Sequence, residues 1–365
     1  MAHASLFQPF RLKSLTLANR FVMAPMTRSF ATAGALPAEA PAYYGKRAAG
    51  GVGLIISEGV LVDRPAAGSS PGEPHFHRPA ALAMWGRVVE AVHEAGGRMA
   101  PQLWHKGIVA PKTEWRPQGP FEGPSGIVRP GEVGGIAMSE GDIADTIAAF
   151  ARAAADAQRL GFDCVEIHGA HGYLIDQFLW SESNKRTDRY GGLTLRERAR
   201  FGAEIARAIR AAVGPDLVII QRFSQWKSQD YTAKLAATPD ELSEWLTPFV
   251  DAGVDIFHMS QRRFWEPEFE GSDLNLAGWA KALTGLPTIT VGSVGLSGEF
   301  IAAFRGESSK AQPIDDLARR HERGEFDLVA VGRAILADPD WVAKLRDGRT
   351  SELRGFTPDA LKTLA

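Results

Sequence analysis

Three side chains in one short run could hold a negative oxygen and supply a proton: His168, His171 and Tyr173, within His168-Gly169-Ala170-His171-Gly172-Tyr173. The glycines let the chain leave an extended path, and in a helical turn the two histidines would share one side. Two imidazoles converging on one point can bind a metal, act as core or capping residues, or donate two N–H groups to a developing oxyanion while the tyrosine acts as acid. No HExxH pattern accompanies them, so metal is the least favoured of the three, and we expect none. In the third reading a positioned acid contributes about 10² to 10⁴ in rate and one oxyanion donor about 10² to 10³.

Other candidates end apolar runs. Gly292-Ser293 and Gly332-Arg333 suit a phosphate, because bare backbone N–H groups can approach its oxygens and a guanidinium can pair with them. The alternative is a pair of turn glycines with a surface arginine. Arg222 closes Leu-Val-Ile-Ile-Gln-Arg, and a charge so placed calls for an anionic ligand or a salt bridge, for instance to Glu166. Gln102 and Thr27 could serve the polar edge of a heterocycle.

Something must bring these run ends together. Short, mostly continuous apolar runs predict strands at Arg20–Met26, Val52–Ser57, Arg98–Trp104, Cys164–His168, Leu217–Phe223, Asp255–Met259, Pro287–Gly292 and Leu328–Gly332. Each leaves room for a crossover helix before the next. Ser139 with Asp142, Thr194 with Glu197, and Thr238 with Glu241 have the spacing of helix N-caps. Ile143, Ile147, Phe150 and Ala154 make one helical stripe that Gly161 would stop. The pattern predicts a single (β/α)8 barrel domain over residues 1–365, with a doubly wound sheet as the alternative. Leu6–Leu17 reads as a hairpin that could plug the barrel's other end. Lys106–Met138, Gln177–Leu193 and Gln261–Leu276 read as long loops over the C-terminal face. Glu307–Glu325 is long and charged enough that its helix is expected to be irregular.

Composition narrows the function. The 365 residues carry 41 basic and 43 acidic side chains, so no whole-protein field draws nucleic acid or anionic lipid. No apolar run is long enough to span a bilayer and no secretory leader is evident, which predicts a cytoplasmic protein without membrane partners. One cysteine, Cys164, cannot supply an iron–sulfur or four-cysteine zinc site. Glycine is abundant, 38 residues, and several fall at predicted strand ends, where a ligand could approach bare backbone.

The run HGAHGYLIDQFLWSESNKRTDRYGG from His168 to Gly192 closely resembles the Old Yellow Enzyme family, FMN-dependent ene-reductases on a (β/α)8 barrel. In order along the chain, NRFVMAPMTR from Asn19, ISEG from Ile56, QLWHKG from Gln102, VGSVG from Val291 and VAVGRAILADPDW from Val329 support the likeness. The resemblance implies non-covalently bound FMN, with NADH or NADPH as transient hydride donor and an activated alkene or nitro compound as substrate. It places Pro25, Met26 and Thr27 along the isoalloxazine, Gly59 and Gln102 at its polar edge, and Arg222 beside N1. It assigns Val291, Gly292, Ser293, Gly332 and Arg333 to the phosphate end. It gives His168 and His171 the substrate oxygen, Tyr173 the proton, and Trp104 the pocket wall. The implied reaction is ping-pong: hydride reaches the alkene from flavin N5 and Tyr173 protonates the neighbouring carbon. Thr27 stands where one branch of the family has a cysteine, so this chain follows the other branch. The Arg262–Asp273 segment matches no pattern, and substrate, stereochemistry, nucleotide preference and oligomeric state, monomer or homodimer, stay open. Alternatives are a nitro-compound or nitrate-ester reductase, a flavin protein without turnover, and a phosphate-binding barrel lyase with Lys106 as Schiff-base residue.

Overall fold

Strands that are apolar on both faces must be covered on both, and here eight of them close on one another. The computed structural model describes residues 3–110, 114–298 and 305–365. Its parallel strands are β1 (Phe21–Met23), β2 (Leu54–Leu61), β3 (Met99–Trp104), β4 (Cys164–His168), β5 (Val218–Phe223), β6 (Ile256–Ser260), β7 (Thr288–Val291) and β8 (Leu328–Val331). They form a closed barrel, β8 pairing with β1 from Val329↔Phe21 to Val331↔Met23. Closure rules out the open doubly wound sheet.

Two strand ends differ from expectation. β1 stops at Met23, so Pro25 and Met26 lie beyond it. β2 runs on to Leu61, with a register irregularity between Ile56 and Gly59, so Glu58 and Gly59 lie inside the strand rather than at its end. The extra residue of a bulge lets a strand continue past a glycine that reads, in sequence, as a stop.

Alternation within the strands sorts side chains by face. Val165, Ile167, Ile219, Phe257 and Met259 join the large core beneath the helices. Cys164, Val218, Ile220, Ile256, Ile289 and Leu328 fill the barrel interior with Phe10, Leu15 and Leu17. Those last three belong to an antiparallel hairpin, Phe10–Leu12 with Leu15–Leu17, which plugs the barrel as its sequence suggests. Further along the same inward positions the residues turn polar: Glu166 then His168 on β4, Arg222 on β5, His258 then Ser260 on β6. The barrel is sealed by hydrocarbon at one end and carries functional groups at the other.

The three predicted caps form. The Ser139 and Thr194 side chains each accept from the backbone of an acid three residues on, and that acid bonds back to the cap's N–H. Thr238 accepts from the Glu241 N–H. Ile143, Phe150 and Ala154 are buried along helix Glu140–Arg159. The Glu307–Glu325 segment contains a regular helix, Asp315–Glu322, contrary to expectation. Its charges pair among themselves, Arg320 reaching both Asp316 and Glu325 at 3.1 Å.

Gln177–Leu193 is not an open loop at its start. Leu174–Leu179 is a buried helix, and the Gln177 amide donates to the Ile108 and Gly172 carbonyls and accepts from the Ile108 N–H. Its polarity serves buried backbone. Lys106–Met138 folds back as two small sheets, Glu122–Gly123 with Ile136–Ala137 and Ile127–Arg129 with Glu132–Val133; residues 111–113 lie outside the described ones. Buried His105 holds it, accepting from the Gly107 N–H and meeting Glu122 at 3.1 Å.

Ser139→Ala removes one partner of a capping box, and unfolding in urea should show a loss of about 1 kcal/mol.

Candidate active site

The charge that organises the barrel mouth is Arg222, at the end of β5. Its neighbours in register are His168 on β4 and His258 on β6, so three basic groups lie in a row across adjacent strands. Arg222 is buried and its Nε has no partner. Glu166, the salt-bridge partner considered from sequence, spends its oxygens elsewhere: Oε1 accepts from Gln102 Nε2 at 2.8 Å and Oε2 meets His258 Nδ1 at 2.6 Å. It attracts Arg222 through space without pairing with it. Arg222 has one weak donation, to Ser260 Oγ at 3.5 Å.

This positive charge acts on the histidines. Burial first, then Arg222, holds both His168 and His171 well below the usual imidazole range, so both are neutral. His168 Nδ1 lies 3.3 Å from the Ala170 N–H and accepts from it, leaving Nε2 to carry the ring proton. His171 places its Nε2 2.9 Å from Ser260 Oγ. The ring centroids stand 5.2 Å apart, so the two histidines do converge. The helical turn expected between them is absent. His171 and Gly172 both have left-handed backbone, φ 66° and 80°, and the following helix begins only at Leu174.

Tyr173 completes an aromatic corner. Its ring lies edge-on to Trp104 at 4.9 Å and to His168 at 5.0 Å. Trp104 packs with Leu61 at the end of β2 and with Ala67 in the connection that follows. Its indole also covers Gly59, where a Cβ would overlap the ring; that contact demands a glycine. Burial first, then the charge of Glu73, pushes the Tyr173 phenol up to about 12, so it keeps its proton at neutral pH.

The remaining predicted residues ring the same mouth. Pro25 and Met26 are half-buried and Thr27 is exposed. Glu58 fixes this segment by accepting from the Arg28 and Ser29 N–H groups, and burial pushes its carboxyl up to about 7. Met26 Sδ lies against Gly332, joining the ends of β1 and β8. After β7, where Val291 is half-buried, Gly292 and Ser293 have φ 146° and 52°. A Cβ on Gly292 would strike the Gln261 carbonyl, so glycine is required there too. Arg333 Nη2 donates to the Gly298 carbonyl, which lies 3.4 Å from Ser293 Oγ, while the Ser293 hydroxyl has its shorter bond to the Arg262 carbonyl at 3.0 Å; the two halves of the predicted phosphate end thus lie close together.

Sequence reasoning missed the segment after β5. Trp226 stacks on the His171 imidazole at 4.2 Å, and Lys227 pairs with Asp176. Ser260 was missed too. None is marked by a motif, although a tryptophan directly after a strand end is a signal that can be read. Lys106 pairs with Glu73 at 2.7 Å and also donates to Ser69, so its Nζ is engaged by two side chains. Among the described residues no group of three or more His, Cys, Asp or Glu could hold a metal ion, and no helix is long and apolar enough to cross a membrane.

The fit to an FMN-like group rests on this geometry. A buried guanidinium without a carboxylate partner, an amide held by Glu166 beside it, and a glycine-serine turn across the mouth suit an anionic heterocycle with a phosphate tail. Residues 5–352 match the profile of the NADH:flavin oxidoreductase / NADH oxidase family. The chain is 34% identical over 364 residues to an NADH oxidase of Thermoanaerobacter brockii, covering 96% of this chain and 52% of that protein, so it spans about half that relative's length. It is 31% identical over 363 residues to 12-oxophytodienoate reductase 7 of Oryza sativa subsp. japonica, covering 94% of this chain and 88% of the relative. Among solved structures it resembles morphinone reductase in complex with tetrahydroNAD, with a TM-score of 0.79 and 28% identity over 98% of this chain and 94% of the other. An Old Yellow Enzyme homologue from Zymomonas mobilis, 24% identical with a TM-score of 0.80 over 98% and 96% of the chains, shares the fold.

These neutral histidines, His168 buried and His171 half-buried, tie stability to pH. Their folded pKa lies below the unfolded value of about 6.5, so the unfolded chain binds more protons and stability falls as pH drops below that value. His168→Gln removes one such site. The pH dependence of unfolding below about pH 6 should become shallower by about 1.4 kcal/mol per pH unit.

Proposed function

Because the chain belongs to the NADH:flavin oxidoreductase / NADH oxidase family, the Old Yellow Enzyme family, we propose that it reduces the activated C=C bond of α,β-unsaturated carbonyl or nitro compounds with NAD(P)H. The observation that carries this reading is the grouping of two neutral imidazoles and one high-pKa phenol against one another and against Trp104. Bound FMN would supply the hydride chemistry, taking a hydride from the nicotinamide and passing it to the alkene. Pro25, Met26, Thr27, Gly59, Gln102 and Arg222 would hold its ring, and Val291, Gly292, Ser293, Gly332 and Arg333 its phosphate end.

The chain's own residues supply the rest. As hydride reaches the β-carbon, electron density moves onto the substrate's carbonyl or nitro oxygen. His168 Nε2–H donates to that oxygen, and the His171 ring shares the position. Neutral donors suit this task because they bind the uncharged substrate without fixing an ion in the pocket, then strengthen as negative charge appears. Tyr173 holds its proton through binding and releases it only to the strongly basic α-carbon. The Trp104 indole, stacked within 5.8 Å of His168, limits where a flat substrate lies. Nothing in the Lys106 environment favours a Schiff base.

Two measurements test this reading. The purified protein, or the protein reconstituted with FMN, should show a flavin spectrum that 2-cyclohexen-1-one restores after anaerobic reduction by NAD(P)H. A protein that stays colourless with FMN contradicts the proposal. Tyr173→Phe should slow the alkene step by about 10² to 10⁴ while leaving reduction by NAD(P)H nearly unchanged. Equal slowing of both half-reactions removes Tyr173 as the acid.

A further inference from the structure

Lys227 and Asp176 form a fully buried ion pair, Nζ to Oδ1 2.7 Å, beside the catalytic segment but outside the substrate space. A buried ion pair can often be exchanged for an apolar pair of similar volume without loss of stability, so stability alone does not account for it. Its surroundings suggest another role. His171 and Gly172 are consecutive left-handed residues, a conformation a histidine keeps only where neighbours over-determine it. The peptide groups of this turn are tied on every side. The His171 N–H donates to Ser224 Oγ at 2.9 Å, and its carbonyl accepts from the Ser228 N–H at 3.1 Å. The Gly172 N–H donates to Asp176 Oδ2 at 2.7 Å, and its carbonyl accepts from Gln229 Nε2 at 3.0 Å. Trp226 covers the His171 ring.

Most of these ties come from the segment 224–229 that follows β5. The exceptions lie on the helix after the turn: Gln177 Nε2, which also donates to the Gly172 carbonyl at 2.8 Å, and Asp176, which Lys227 connects to the 224–229 segment. Lys227 also donates to the Gln225 carbonyl at 2.8 Å, so the ammonium gathers its own loop while holding the carboxylate. Burial pushes the Asp176 carboxyl up to about 6, and the Lys227 ammonium opposes that rise.

We propose that Lys227 and Asp176 are positioning residues: their ion pair locks the loop after β5 onto the His171-Gly172 turn, and so sets where the His171 imidazole and the Tyr173 phenol stand relative to His168 and Trp104. Neither residue touches the substrate. The inference rests on the proposed oxyanion and acid roles of that segment.

The test uses FMN-loaded enzyme, wild type against Lys227→Met and the double variant Asp176→Asn/Lys227→Met. The double variant buries no lone charge and keeps an acceptor for Gly172 while cutting the link to the loop. It therefore answers the question even if the single variant does not fold. Three quantities are read: FMN affinity, affinity for 4-hydroxybenzaldehyde from its charge-transfer band with oxidised flavin, and the rate of flavin reoxidation by 2-cyclohexen-1-one. Displacement of a reacting group by about 1 Å costs on the order of 10²-fold, so the double variant should lose at least about tenfold in both phenol affinity and reoxidation rate. Its FMN affinity should stay within about threefold of wild type, far below the penalty for misplaced reacting groups. Phenol binding and reoxidation close to wild type in the double variant would overturn the inference, as would a loss of FMN affinity in step with the other two. Wild type that binds FMN but neither binds the phenol nor reduces the enone would instead contradict the functional reading itself.

Discussion

A guanidinium buried at the end of a barrel strand without a carboxylate beside it is the constraint on which the site depends. Arg222 sits in a row with His168 and His258, and Glu166, the nearest acid along the barrel interior, is committed to Gln102 and His258. An unpaired buried charge is costly unless a ligand completes it. The fold therefore stores an electrostatic demand at its mouth, which an anionic ring system such as the proposed flavin would meet. The same charge helps to keep His168 and His171 neutral, and a neutral imidazole still offers the one N–H that the proposed oxyanion role uses.

The barrel makes this placement possible. Inward positions near the strand starts are hydrocarbon and are closed by the Phe10–Leu12 and Leu15–Leu17 hairpin; the next inward positions carry the Gln102–Glu166–His258 network, and the last carry His168, Arg222 and Ser260. The side chains at the last level are buried among their neighbours, yet lie nearest the barrel mouth. The apolar plug thus has a functional consequence, since it leaves the strands' C-terminal face as the mouth through which a ligand reaches Arg222.

Much of this was legible in the residues. Continuous apolar runs located all eight strands, because strands buried on both faces cannot alternate, and the cap spacings located three helix starts. The convergence of His168, His171 and Tyr173 was legible as a cluster, but not its geometry: the turn is left-handed, and nothing local in His171 announces that. Its determinants lie far along the chain, Ser224 at 53 positions and Ser260 at 89. Gln177 looked like part of a solvated loop and is a bolt for buried backbone, since a polar residue reads alike whether it faces water or satisfies carbonyls. Gly59 looked like a strand end, and the contact that forbids a side chain there comes from Trp104, a residue of the next strand.

In the proposed site the charge of Arg222 would complete its ion pair only with bound reduced flavin. The direct measurement is the two-electron midpoint potential of FMN bound to wild type and to Arg222→Met. A charge-assisted hydrogen bond made mainly to the reduced form is worth about 1.5–3 kcal/mol, so the variant's potential should fall by about 30 to 60 mV. An unchanged potential with FMN still bound would contradict the account.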